Sequence, residues 1–258
     1  MAFFERFQLA TEKDKTVAVA KLIKSSTGDF DFYLFAVLGI SMASLGLVLD
    51  SPEVVIGSML IAPVLYPLLS LSLALVLSDI KLVYRSLRTL VISFSISVLI
   101  AFILSLLMGT YFDFALSEQI MARGQASTLF FFVAFISGFA ATYALVHTNL
   151  NEMLPGVAIS VSLVPPLAVV GIGLGSYNFY VAGGALILFL VNVLGIMLAS
   201  AIAFTLMDLH STHKVAESAV KQEEKRIEKE NLMVEEIKEI KEENGNHPMP
   251  TQQNNHHA

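Results

Sequence analysis

Residues 161–173 read "VSLVPPLAVVGIG", two adjacent prolines inside an otherwise apolar run. Proline has no backbone N–H and its ring collides with the preceding turn, so a helix that must close its own hydrogen bonds normally excludes such a pair. The surrounding sequence places this run in a bilayer. The chain is 55% hydrophobic and 15% charged, with mean hydropathy +0.69, outside the range of soluble globular domains. Its charges crowd into residues 1–31, 79–88 and 208–258. The formal net charge of −6 comes mostly from the last of these, so it says little about the apolar part. Cysteine is absent, which removes disulfides, thiolate metal sites and thiol nucleophiles together.

A crossing helix needs about 20 apolar residues to span roughly 30 Å of hydrocarbon. Six segments approach that length: 32–49, 54–78, 89–109, 127–147, 154–175 and 180–206. Their connections are short apart from 110–126, and an even number of spans puts both termini on one side. Arg6, Lys13, Lys15, Lys21, Lys24, Lys81, Arg85, Arg88 and seven tail residues fall on that side, against Arg123 alone on the other. Basic residues are retained in the cytoplasm, so a multi-pass protein of the plasma or inner membrane with both termini cytoplasmic is expected.

The flanks read differently. Residues 1–30 form a leader without a signal-peptide core, expected to be retained. Within it, 2–24 is either a surface helix with Phe3, Phe4 and Phe7 toward lipid or a plain polar leader. Residues 208–243 predict an acidic cytoplasmic helix. Val220, Ile227, Val234 and Ile237 approach heptad spacing, but Glu223 and Glu230 interrupt it, so a solvated helix with i,i+4 charge pairs is favoured over a coiled coil. Residues 244–258 read as disordered.

Sliding the chain against itself by 103 residues sets Pro52 on Pro155 and Pro63 on Pro166, with Val54 on Val157 and Leu60 on Leu163. The match predicts an internal duplication, about 31–110 and 127–207. Each unit holds three spans. Three is odd, so the second copy enters from the opposite side, giving two inverted three-helix repeats. Pro63 and Pro166 then both fall near the bilayer midplane. The prolines break the second and fifth helices: Pro165 and Pro166 strip the carbonyls of Val161 and Ser162 of donors, Pro63 strips Met59 and Pro67 strips Pro63. Such groups cannot face lipid. They would line a site with Ser58, Pro63, Pro67, Ser162, Pro165, Pro166 and Asn192, or else be packing kinks healed by Ser58 and Ser162.

The stretches "SPEVVIGSMLIAPVLYPLLSLSLAL" (51–75), "LPGVAISVSLVPPLAVVGIGL" (154–174) and "GALILFLVNVLGI" (184–196) together resemble the uncharacterised hydrophobic-domain family of bacteria and archaea, domain-of-unknown-function family 389. The resemblance covers roughly 30–205 and implies a polytopic membrane protein with no assigned reaction. Many members carry a soluble α/β domain before the spans. Here a short leader and a charged tail stand in its place, so no role of that domain is carried over.

Asn192 is the most polar side chain deep in the sixth span, able to bond a solute or to link two helices. Asp50 and Glu53 flank Pro52 at the outer mouth, and His147 and Glu152 sit at the inner mouth of the second copy. They read as gating residues or as ordinary helix ends. The spans hold no central Asp, Glu, Lys or Arg, which argues against a proton pump. The lone "GIGLG" at 171–175 is a packing feature rather than a dinucleotide loop. Gly39–Ala43, Ala134–Gly138 and Gly195–Ala199 have small-xxx-small spacing. The intramembrane serines lack a His or Lys in the same span and no HExxH occurs, so an enzyme is not expected, nor a cofactor, a metal or nucleic acid. The expected partners are the bilayer, further copies of the chain, and a cytoplasmic protein held by the tail. The function expected is a small-solute transporter or channel, with a membrane scaffold recruiting a cytoplasmic partner as the alternative.

Overall fold

The computed structural model describes residues 11–111, 117–125, 127–154, 156 and 163–245. Among these the chain is helical and contains no strand. In order the helices are α1 Glu12–Ser25, α2 Phe30–Val48, α3 Pro52–Ile61, α4 Leu65–Leu77, α5 Ile80–Tyr111, α6 Glu118–Arg123, α7 Thr128–Val146, α8 Val164–Gly175, α9 Phe179–Leu206 and α10 His213–Gly245, with short 3-10 turns at Thr148–Met153 and Leu209–Thr212. Four helices, α2, α5, α7 and α9, are long and apolar enough to cross a membrane. The pair α3 and α4 makes a fifth span if counted together, bent by 51°. Against six expected spans, four or five are found among the described residues. The difference is α8, whose 12 residues reach about 18 Å at 1.5 Å per residue, short of the hydrocarbon core. Residues 157–162, in the first half of the expected fifth span, lie outside the described residues.

The leader segment is a helix packed on protein. Thr11 and Asp14 form a capping box at its start, and Ala18, Val19, Leu22 and Ile23 bury one stripe against α4, α7 and the 209–212 turn. Phe3, Phe4 and Phe7 lie outside the described residues.

Helix boundaries recur along the chain at a shift of 99 residues. α4 begins at Leu65 and α8 at Val164. Ser78 and Tyr177 take left-handed conformations, at φ 54° and 57°. In both turns the next N–H reaches five residues back, Asp79 to Ala74 and Asn178 to Gly173. Asp79 and Asn178 then cap the following helix through Oδ1, accepting from Leu82 N at 3.1 Å and Val181 N at 3.2 Å. Pro67 and Pro166 stand at the same place, the third residue of their helices. The recurrence is at 99, not 103. A slip of four residues is about one helical turn, so it keeps every apolar face in phase and a comparison of hydropathy cannot detect it.

Packing follows the same register. α4 packs on α5 and α9, and α8 packs on α9 and α5. The buried faces of α5 and α9 coincide at a shift of 99: Leu82 with Val181, Leu90 with Phe189, Ser93 with Asn192, and Ser105 with Phe204 are buried in each pair. Small residues set the close approaches. A Cβ on Gly171 would stand 2.5 Å from Ala101 Cβ of α5, and one on Gly195 would stand 3.0 Å from Ala134 Cβ of α7, so two of the small-xxx-small pairs meet each other across α7 and α9.

Residues Met1–Val220 make one compact unit and Lys221–Ala258 a second. Within the first, Ala216, Ala219 and Val220 at the start of α10 are buried. Within the second, Arg226 pairs with Glu223 at 2.8 Å and Glu230 at 3.3 Å, and Leu232, Met233, Val234 and Ile237 are exposed. Residues 246–258, most of the tail expected to be disordered, lie outside the described residues.

Candidate functional site

The bend between α3 and α4 is a complete interruption of the helical hydrogen-bond ladder. α3 closes with Ala62 N donating to Ser58 O, and Ala62 itself is extended, at φ −75° and ψ 120°. Pro63 has no N–H to offer Met59. Among the described residues no backbone or side-chain donor reaches the carbonyls of Met59, Leu60 or Ile61. Four residues on, α4 starts at Leu65 without a side-chain cap. The negative end of one helix and the positive end of the next therefore lie a few residues apart in an apolar setting. Gly39 of α2 backs the break, since a Cβ there would come 2.6 Å from Ala62 Cβ.

The double proline stands at the start of α8. Pro165 and Pro166 are the second and third residues of α8, not its interior. A helix leaves its first four N–H groups without internal partners. α8 has no capping side chain and its first residues, from Leu163 through Val170, are all buried. Two prolines at those positions remove two donors that burial would otherwise leave unpaired. Pro67, third in α4 and also buried, acts likewise and frees no carbonyl at Pro63. The expected orphan carbonyls of Val161 and Ser162, and Ser162 itself, lie outside the described residues.

Of the remaining expected site residues, Asn192 is 3% exposed, in the middle of α9. Ser58 is fully buried, but its hydroxyl donates to Val55 O at 2.6 Å. That bond heals α3 locally and leaves no donor for the break. Asp50 is exposed with φ 52° and accepts from Gln119 N at 3.3 Å. Glu53 is exposed and accepts from Ser51 Oγ at 2.9 Å. His147 closes α7, its ring stacked on Tyr143 at 4.1 Å with Nδ1 3.0 Å from Tyr143 O. Glu152 is exposed in the 3-10 turn. Asp50 and Glu53 are close neighbours in one turn; no contact joins either to His147 or Glu152 among the described residues.

Three polar clusters were not singled out from the sequence. Arg123 Nη1 donates to Gln119 O at 3.0 Å and Gln119 Oε1 at 3.3 Å, and Ser117 Oγ to Leu47 O at 2.6 Å. The Arg123 bonds stay within α6, and the Ser117 bond ties its start to the end of α2. Burial lowers the Arg123 pKa, and the negative Asp50 opposes that shift. Elsewhere Lys15 Nζ bridges Glu12 at 2.9 Å and Asp208 O at 3.4 Å. The charge and hydrogen bond of Lys15 hold the Glu12 carboxyl below its usual range. Arg85 joins Thr27 Oγ1 at 2.6 Å to Val220 O at 3.2 Å. Their only sequence signal was charge beside an apolar helix.

Comparison with known proteins agrees with the apolar motifs. The family model described as a domain of unknown function, DUF389, matches residues 59–198. An uncharacterized protein of Methanocaldococcus jannaschii is 33% identical over 173 residues, 67% of this chain and 52% of that protein. The chain thus spans about half the length of the curated relative it matches. No solved structure matches it.

Proposed function

The chain belongs to the DUF389 family, and from that premise we propose that it is a membrane transporter or channel for a small solute, with its site at the helix break around Pro63. The observation that carries this is the trio of carbonyls at Met59, Leu60 and Ile61 without a donor among the described residues. In hydrocarbon each such group costs several kcal/mol. A wetted pathway removes that cost and gives the groups a purpose. The recurrence at 99 residues supports two inverted halves of three spans each, α8 being the C-terminal part of a second broken span. The distribution of Lys and Arg supports both termini being cytoplasmic. The apolar side chains exposed along α2, α5, α7 and α9 serve the bilayer and contacts between copies.

Because the chain has no cysteine, the test is direct. Single cysteines at 57–63, in protein reconstituted into liposomes, should react with a water-soluble maleimide at positions on the break-facing side. Uniform protection across 57–63 would refute the site. The scaffold alternative draws support from the exposed Leu232, Met233, Val234 and Ile237 of the second unit. Removing residues 221–258 separates the two: solute flux that survives favours transport, and a partner lost from a chain that never carried flux favours the scaffold.

A further inference from the structure

Several buried hydroxyls in this protein bond to their own helix. Ser44 donates to Ile40 O, Ser58 to Val55 O, Ser72 to Leu68 O and Thr142 to Gly138 O, all between 2.6 and 3.0 Å. Others cross to a neighbour, as Ser86 to Ser70 Oγ at 2.9 Å and Ser105 to Ile172 O at 3.2 Å. Ser93 does neither. Its side chain is 0% exposed and its Oγ has no hydrogen-bond partner among the described residues. The Thr89 carbonyl, one turn back, is the acceptor a helical serine ordinarily takes. A buried hydroxyl that forgoes it calls for a ligand or water to complete it.

The position of Ser93 adds a second, independent fact. At the shift of 99 residues that relates α4 to α8 and α5 to α9, Ser93 corresponds to Asn192. Phe94, next to Ser93, meets Phe189 edge-on with ring centroids 4.5 Å apart. Phe189 is one turn before Asn192, so the two polar residues occupy the same level of the helix ring α4, α5, α8 and α9. Among the described residues the buried polar side chains of α2 to α9 are hydroxyls and an amide, without a charged group.

We propose that Ser93 and Asn192 are equivalent hydrogen-bonding stations for the permeating solute, and that this solute is a small uncharged molecule carrying both donor and acceptor groups, of the class of short amides and polyols. The proposal rests on the permeation reading above. An ion would need a counter-charge that this level of the ring does not provide. Serine and asparagine both donate and accept, which suits a solute that does the same.

The experiment uses the full chain in liposomes and follows entry of formamide, urea and glycerol by light scattering. S93A and N192A are each expected to slow entry about tenfold, the effect of one lost hydrogen bond. S93T should retain the wild-type rate, as should S72A, whose hydroxyl serves its own helix. In parallel, S93C should react with N-ethylmaleimide in intact membranes and be slowed by molar formamide, while S72C should not react. Wild-type entry rates in a folded S93A protein would overturn the proposal, as would S93C that reacts only after denaturation in SDS. Absence of entry in the wild type, with S93C labelled and protected by formamide, would remove permeation and leave the binding site standing.

Discussion

Adding one methyl group at Gly171 is the sharpest test of the helix ring. The new Cβ would stand 2.5 Å from Ala101 Cβ, 2.6 Å from Val98 O and 2.8 Å from Phe102 N. Carbon contacts settle at about 3.5–4.0 Å, so α8 and α5 must part by about 1 Å. Two of the three atoms are backbone and cannot rotate away. Overpacking of this kind costs about 1–3 kcal/mol or more, set against about 1 kcal/mol gained by replacing a helical glycine with alanine. Because two of the contacts are to backbone, the upper part of that range, about 2–3 kcal/mol, applies; the net loss is then about 1–2 kcal/mol, and at about 2–4 °C per kcal/mol for a chain of this size the G171A midpoint should fall by roughly 2–8 °C. Gly183 of α9 supplies the control, because a Cβ there meets nothing within 4 Å. G183A should match or exceed the wild type. Detergent-solubilised variants heated in steps and followed by the monodisperse peak on size exclusion would give both midpoints. A G171A protein as stable as G183A would mean that α8 does not lie against α5 at this turn, and the ring would have to be abandoned.

Other expectations concern the helix starts and the polar clusters. Pro67→Ala introduces a strong helix former, yet it adds a buried N–H at the third residue of α4 and should cost about 1–3 kcal/mol; a higher thermal midpoint would contradict the role given to that proline. Arg85→Ala removes the link between Thr27 and Val220 and should speed tryptic cleavage after Lys21 and Lys24; unchanged cleavage kinetics would show that the link does not hold α1. The depressed Glu12 carboxyl stabilises the fold above its unfolded pKa, and this contribution disappears as pH falls through the lower folded value. Wild type should therefore lose thermal stability on acidification relative to E12Q, and parallel pH profiles would rule the coupling out.

The sequence carried the class of protein and the places where its helices stop. Apolar runs near 20 residues leave little choice but membrane helices, and Pro63 in such a run has to interrupt a ladder wherever the chain goes. The family was legible from three apolar motifs for the same reason. Register was not. A shift of 103 and one of 99 put the same faces inward, and only the left-handed turns at Ser78 and Tyr177, with the caps at Asp79 and Asn178, distinguish them. That Pro165 and Pro166 are the second and third residues of α8 was likewise not legible, because sequence does not reveal where a buried helix begins.

Side chains divide along the same line. Asn192 is conspicuous in any apolar run, whereas Ser93 is one of many serines that look alike until each hydroxyl is given its partner. Arg123, Lys15 and Arg85 could be counted by the sequence and assigned to a side, but their partners lie 3 to 193 residues away and only the packed chain names them. Composition and spacing decide what the solvent around a segment must be, since transfer free energy is a property of residues taken singly. Which carbonyl stays unpaired, and which serine faces away from its own helix, is decided by contacts between segments. Those depend on distances that exist only once the chain has folded.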